Sequence, residues 1–250
     1  MIEAVCVQGR GVDMDRARRL AEKFGTEVTD KIPDDKHAMY FLFDKTGLSF
    51  IAGKQELKGD LSRMLKRVTG GHLAHEIILK AAKQNTEAEQ GTLRAVDCTA
   101  GLGEDSFLLA AGGYQVELFE HNPVTAALLH DALIRARKNP EMQEIAKRMT
   151  LREGDSKELL ASLTYEPDLI YLDPMFPEKK KSAETKKKLQ VLHKIETPCA
   201  DENELIQAAI DAKPKKIVIK RPPEGPYLAG MTPTYSVTRK AVRFDCIVFS

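Results

Sequence analysis

Val96-Asp97-Cys98-Thr99-Ala100-Gly101-Leu102-Gly103-Glu104-Asp105 is the stretch on which the fold turns. It reads as a strand ending in an acidic residue, then a glycine turn that opens a helix. The pattern differs from the dinucleotide fingerprint G-x-G-x-x-G, because Glu104-Asp105-Ser106 follows Gly103. Glu104 and Asp105 put negative charge at a helix N-terminus, where the backbone itself favours anions. A pyrophosphate would be repelled there, whereas a ligand carrying an ammonium and a sulfonium would be attracted. The expected cofactor is therefore S-adenosylmethionine rather than a nicotinamide dinucleotide.

Working outward, the chain alternates helix and strand. Expected strands are 94–98, 115–120, 148–152, 168–173 and 216–220, and expected helices are 76–83, 104–111, 123–138, 156–163 and 203–212. Such alternation implies crossover connections and a parallel sheet. The ending, 235–239 and 243–249, reads as an antiparallel pair. The fold class is α/β, a class I S-adenosylmethionine-dependent methyltransferase with a Rossmann-like sheet and a terminal antiparallel hairpin. The region before Gly70-Gly71 is different. Ala4–Val7 is a strand candidate, 15–24 has helical spacing, and 39–43 with 48–51 flank the turn Asp44-Lys45-Thr46-Gly47. Residues 1–68 are expected to form a small α+β N-terminal domain and 69–250 the methyltransferase domain.

Composition narrows the classes. The chain has 250 residues, is 42% hydrophobic and carries a formal charge of +1, so any nucleic-acid surface must be a local patch. The 4 cysteines (Cys6, Cys98, Cys199, Cys246) are scattered, which argues against a zinc site or a disulfide scaffold. No metal is expected. The N-terminus shows no signal peptide and no run is long enough to span a bilayer, so a cytoplasmic protein is expected.

Parallel strands present ligands at their carboxyl ends. Asp97, Glu120, Asp155 and Asp173 all fall at or just after such ends. Gly101 and Gly103 permit the turn and a close approach of ligand to backbone. Glu120, at the end of the second strand of this sheet, is placed to accept from ribose hydroxyls, with His121 beside the adenosine. Asp155-Ser156 follows the third strand, where an Asp can accept from the adenine amine or cap the next helix.

Asp173-Pro174-Met175-Phe176-Pro177 is where a planar amine can be methylated. The Asp173 carboxylate and the Pro174 carbonyl can accept its two N–H bonds, and Phe176 can stack on its ring. The prolines stiffen the loop. Then come Lys179, Lys180, Lys181, Lys186, Lys187 and Lys188, a basic tract suited to phosphates. Lys220 and Arg221, ending the fifth strand, are expected to add RNA contacts.

With these motifs in hand, and with Glu120-His121-Asn122-Pro123 and Val218-Ile219-Lys220-Arg221-Pro222, residues 68–250 resemble the RsmJ family of bacterial 16S rRNA (guanine-N2) methyltransferases. The family's second motif commonly reads Glu-Arg, where this chain has Glu120-His121. The resemblance implies S-adenosylmethionine as donor and a guanosine N2 of small-subunit rRNA, free or in the 30S subunit, as acceptor. It also implies cofactor contacts at Glu104, Asp105, Glu120, His121, Asp155, Ser156 and Asp173. Other readings compete. The tetrad alone does not choose the base, so another base stays open, whereas methylation of a protein amide would leave the lysine tract unused. An RNA-binding assembly factor with an inactive methyltransferase fold would not need the intact tetrad. A nicotinamide oxidoreductase is disfavoured by the acidic helix start.

Overall fold

The computed structural model describes residues 2–84, 92–174 and 202–249. The N-terminal part builds a five-stranded sheet of β1 (Ala4–Val7), β2 (Glu27–Thr29), β3 (Met39–Asp44), β4 (Gly47–Ala52) and β5 (Gln55–Lys58), in the order β2-β1-β3-β4-β5. Helix α1 (Met14–Phe24) begins where the Asp13 side chain accepts from the Arg16 amide and ends at Gly25 in the left-handed region. The β3–β4 hairpin is tighter than the sequence implied. Asp44 pairs with Gly47, leaving only Lys45-Thr46 in the turn. Both β2 and β5 are additions to the expected elements.

After the short helices α2 (Leu65–Val68) and α3 (Ile77–Ala82), the larger sheet is assembled from β6 (Arg94–Asp97), β7 (Gln115–Glu120), β8 (Met149–Glu153), β9 (Leu169–Leu172), β10 (Lys216–Arg221), β11 (Tyr235–Arg239) and β12 (Val242–Val248). The order is β11-β12-β10-β9-β6-β7-β8. Strands β6 to β10 run parallel, and β12 lies antiparallel between β10 and β11. The closing hairpin thus inserts its last strand into the sheet, as the α/β reading required.

Between these strands lie α4 (Glu104–Ala111), α5 (Pro123–Lys138), α6 (Gln143–Ala146), α7 (Ser156–Ala161) and α8 (Glu202–Asp211). All four residues of β9 are buried, as a central parallel strand covered on both faces demands. Alternate residues divide between two cores. Leu169 and Tyr171 pack with α4 and α5, and Ile170 and Leu172 pack with α7 and α8. Helix α5 is buried on two faces. Leu129, Ala132, Leu133 and Ala136 face the large sheet, while Val124, Ala127 and Leu128 join the core of the N-terminal sheet. Leu61 and Met64, which precede the Gly70-Gly71 joint, belong to the core of the larger sheet. Among the described residues no helix is long and apolar enough to cross a membrane.

Candidate functional site

The carboxyl ends of β6, β7 and β9, with the first turn of α4, bring the predicted acidic residues together. Gly103 makes this possible. Its φ is +79°, a conformation in which a side chain is strained, and a Cβ there would meet Leu129 Cδ1 at 2.7 Å. Gly101 has φ +54°, and the nearest atom to an added Cβ is the Thr99 carbonyl oxygen at 3.9 Å. The backbone there is open to a ligand.

Asp97 ends β6 and is buried. Its Oδ1 accepts from the Thr99 amide at 3.0 Å, and its Oδ2 accepts from the Ser106 hydroxyl. Burial pushes its pKa up to about 7, the charges of Asp105 and Asp173 add to the rise, and the Ser106 and Thr99 bonds oppose it. Glu120 ends β7 and is also buried. Its two oxygens accept from the Gly101 and Asn122 amides, each at 2.8 Å. Burial carries this carboxyl to about 7 as well, against those backbone bonds. The exposed His121 approaches it with Nδ1 at 3.6 Å. Among the described residues neither Asp97 nor Glu120 pairs with a lysine or arginine. Carboxylates that are costly to ionise and lack a fixed cation suit a cationic ligand such as a sulfonium.

Asp105 and Asp173 are treated differently. Lys220 Nζ donates to Asp105 Oδ2 at 2.7 Å and to Asp173 Oδ2 at 2.9 Å. The Tyr171 hydroxyl donates to the same Asp105 oxygen at 2.7 Å. Burial alone would raise the Asp105 pKa, but Lys220 and Tyr171 hold it below the usual value. The helix-start charge expected of Asp105 is therefore already neutralised from within. The Asp173 amide donates to Thr99 Oγ1 at 2.6 Å, tying the end of β9 to the turn after β6. Pro174 follows and is buried. Glu104 is half-buried beside them.

Asp155 caps α7, accepting from the Lys157 amide at 2.8 Å. Ser156 is turned inward, its hydroxyl donating to the Cys98 carbonyl at 2.6 Å. That bond fixes the loop after β8 against the end of β6.

Two expectations need correction. Lys220 reaches the edge as predicted, but its ammonium is spent on carboxylates rather than offered to RNA. Arg221 points the other way. It is 2% exposed, donates to the Pro226 carbonyl at 2.9 Å and lies 3.5 Å from Glu202. Burial leaves it no surface for RNA. Phe176 and the tract Lys179, Lys180, Lys181, Lys186, Lys187 and Lys188 lie outside the described residues. The network also recruits Thr99, Ser106 and Tyr171, to which the sequence assigns no role. A tyrosine in the otherwise aliphatic β9 was the available signal, since a buried phenol needs a partner.

The comparisons with known proteins agree with this geometry. A family described as "Putative SAM-dependent methyltransferase" matches residues 34–249. A Neisseria meningitidis protein named Ribosomal RNA small subunit methyltransferase J is 35% identical over 91% of this chain and 90% of its own length. A protein of that name from Aeromonas hydrophila is 44% identical over 63% of this chain and 64% of its own. A solved SAM-dependent methyltransferase from Neisseria gonorrhoeae superposes with a TM-score of 0.71 at 29% identity, covering 98% of this chain and 96% of that one.

Proposed function

The chain belongs to the ribosomal RNA small subunit methyltransferase J family, and on that premise we propose that it methylates the exocyclic N2 of a guanosine in small-subunit rRNA. It is an S-adenosylmethionine-dependent rRNA methyltransferase.

The observation that carries the proposal is the position of Asp173. Its amide is bound to Thr99 and its carboxylate lies on the edge that holds Asp97, Glu120 and the open Gly101 turn. An amine held by Asp173 is thereby next to a cofactor held by that edge. The described residues fit S-adenosylmethionine. Gly101 leaves room at the backbone, and Asp97 and Glu120 are buried acids that a cation would help to ionise. Glu120 retains lone pairs for ribose hydroxyls, since each carboxylate oxygen has capacity beyond its one backbone bond.

Bound there, S-adenosylmethionine supplies an electrophilic methyl group on a positively charged sulfur. Asp173 and the Pro174 carbonyl accept the two N–H bonds of the guanine amine, which holds the nitrogen lone pair out of ring conjugation and aims it at the methyl carbon. Asp173 would take the proton that the nitrogen sheds as it gains the methyl group, the electron pair of the broken C–S bond staying with the departing sulfur. Phe176 is assigned the stacking of the extruded base, a contact worth ~1–3 kcal/mol. Such a base must leave its stack before it can react.

The test is mass spectrometry of nucleosides from small-subunit rRNA after single-turnover reaction. N2-methylguanosine should form with the wild type, and Asp173→Ala should slow its formation by at least ~100-fold, the range of positioned acid–base groups. Methyl on adenosine or cytidine would refute the guanine assignment. Undiminished product from the variant would refute the role of Asp173.

A further inference from the structure

Lys220 sits where two independent placements converge. Strand β10 pairs in parallel with β9, with Ile219 opposite Leu172, so Lys220 lies beside Asp173 one step beyond the last pair. The alternation of side chains puts Tyr171 and Val218 on the α4 face of the sheet, and Asp173 and Lys220 share their parity. The lysine therefore projects towards the first turn of α4, where Asp105 waits. Both of its short contacts, 2.7 Å to Asp105 and 2.9 Å to Asp173, are to carboxylate oxygens. A phosphate could claim this ammonium only by displacing both.

We propose that Lys220 is a positioning residue for methyl transfer: its ammonium clamps Asp173 Oδ2, fixing the side chain and keeping it ionised so that Oδ1 faces the target amine. The proposal rests on the assignment of Asp173 to that amine. The charges around the clamp explain why it is needed. Asp97 from β6, Asp105 from α4 and Asp173 after β9 repel one another, and such a cluster without a cation protonates one member. A protonated Asp173 would lose acceptor capacity and could not take the amine proton. The surrounding groups divide the work. Tyr171 from β9 donates to Asp105, and Arg67 of α2, held by Glu76, acts on Asp105 from outside. Lys220 lies within bonding distance of Asp173, and its own pKa is raised because Asp105 and Asp173 outweigh its burial.

The experiment compares wild type with Lys220→Met and Lys220→Arg. Single-turnover methyl transfer is followed on unmodified small-subunit particles at saturating S-adenosylmethionine, from pH 5 to 9. Cofactor affinity is measured by calorimetry, and RNA affinity at two salt concentrations. Lys220→Met should slow transfer by about 10–100-fold, the cost of a misplaced reacting group. Loss of the neighbouring positive charge should move the acid limb of its rate profile to higher pH. Cofactor affinity and the salt dependence of RNA binding should stay near wild type. Lys220→Arg should restore most of the rate and return the acid limb. Should Lys220→Met fail to fold, Lys220→Gln carries the same expectations. An unchanged rate, or a fall in RNA affinity and salt slope with no change in the pH profile, would overturn the proposal. So would a rate loss that leaves the profile unmoved and that arginine does not repair. All readouts are ratios to wild type on whichever nucleoside the wild type methylates. A wrong base assignment therefore shows in the product, and a wrong role for Lys220 shows in the ratios.

Discussion

Asp131 and Glu120 are both buried carboxylates, one inside α5 and one at the strand end that leads into it, yet they are solvated in opposite ways. Asp131 is 0% exposed, and three donors converge on it: Arg16 at 2.8 Å, Arg135 at 2.7 Å and the Leu48 amide at 3.0 Å. Burial would raise its pKa, but these bonds hold it below the usual value. Glu120 receives only backbone amides and is carried up to about 7. Asp97 behaves like Glu120. The difference separates a carboxylate that fastens two parts of the chain from carboxylates kept for a ligand. Asp131 draws Arg16 of α1 and Leu48 of β4 onto α5. Gly47, with φ +114°, lies so close that a Cβ would meet Asp131 Oδ2 at 2.6 Å.

The largest effect should come from breaking the satisfied member. Asp131→Ala leaves Arg16, Arg135 and the Leu48 amide without their acceptor in a buried place. Removing one partner of a buried ion pair costs about 3–5 kcal/mol. Urea unfolding should show a loss of that size, with cofactor affinity of the folded fraction unchanged. The pH sign follows from its lowered pKa. The stabilisation is fully present above the unfolded carboxyl value and is lost as pH falls through the still lower folded value. A variant as stable as wild type would remove Asp131 from its fastening role.

The unsatisfied pair should behave the other way. A carboxyl raised in the folded state binds its proton more tightly there than in the unfolded chain. Stability of the cofactor-free protein should therefore fall as pH rises from the unfolded values of about 4 to the folded values of about 7. Glu120→Gln should flatten part of that slope and make the free protein more stable at pH 8. The same change should weaken S-adenosylmethionine binding by ~10–100-fold, since charge-assisted bonds contribute about 1.5–3 kcal/mol each. In the wild type, cofactor affinity should rise as pH climbs through 7, because the cation binds the ionised site. Thermal melts with and without cofactor, and calorimetry across pH, read both. Affinity indifferent to pH and to Glu120→Gln would place Glu120 with the structural carboxylates.

What the sequence made legible follows the same division. Strand ends are readable because acids there break an apolar run, so the sequence alone places Asp97, Glu120 and Asp173 on one edge. Partners are not. Lys220 joins Asp105 and Asp173 across 115 and 47 positions of sequence, and a cation followed by another cation and two prolines does not say which one turns inward. Here Lys220 reaches the carboxylates and Arg221 turns towards α8. The strands β2 and β5 were missed because Glu27-Val28-Thr29 and Gln55-Glu56-Leu57-Lys58 are too polar and too short to show a period. Pairing with β1 and β4 makes them strands. The second buried face of α5 was hidden because its partner is the N-terminal sheet, a tertiary fact absent from the helix's own pattern.

Asp155 stands between the two kinds of carboxylate and should give the smallest effect. It is exposed and accepts from the Lys157 amide as the N-cap of α7, while its place after β8 also suits the adenine amine. Alanine removes both acceptor roles, but serine keeps the cap. Asp155→Ala should lose about 1 kcal/mol of stability, the usual worth of an N-cap, and Asp155→Ser close to none. If the carboxylate also receives the adenine amine, both variants should bind S-adenosylmethionine ~2–10-fold more weakly, the worth of one ordinary hydrogen bond. The serine variant is thus the informative one. Weaker binding at unchanged stability assigns Asp155 to the ligand as well as the helix. Unchanged binding in both variants, with the alanine cost intact, makes it a cap alone and puts it beside Asp131, its acceptor capacity serving the chain rather than the cofactor.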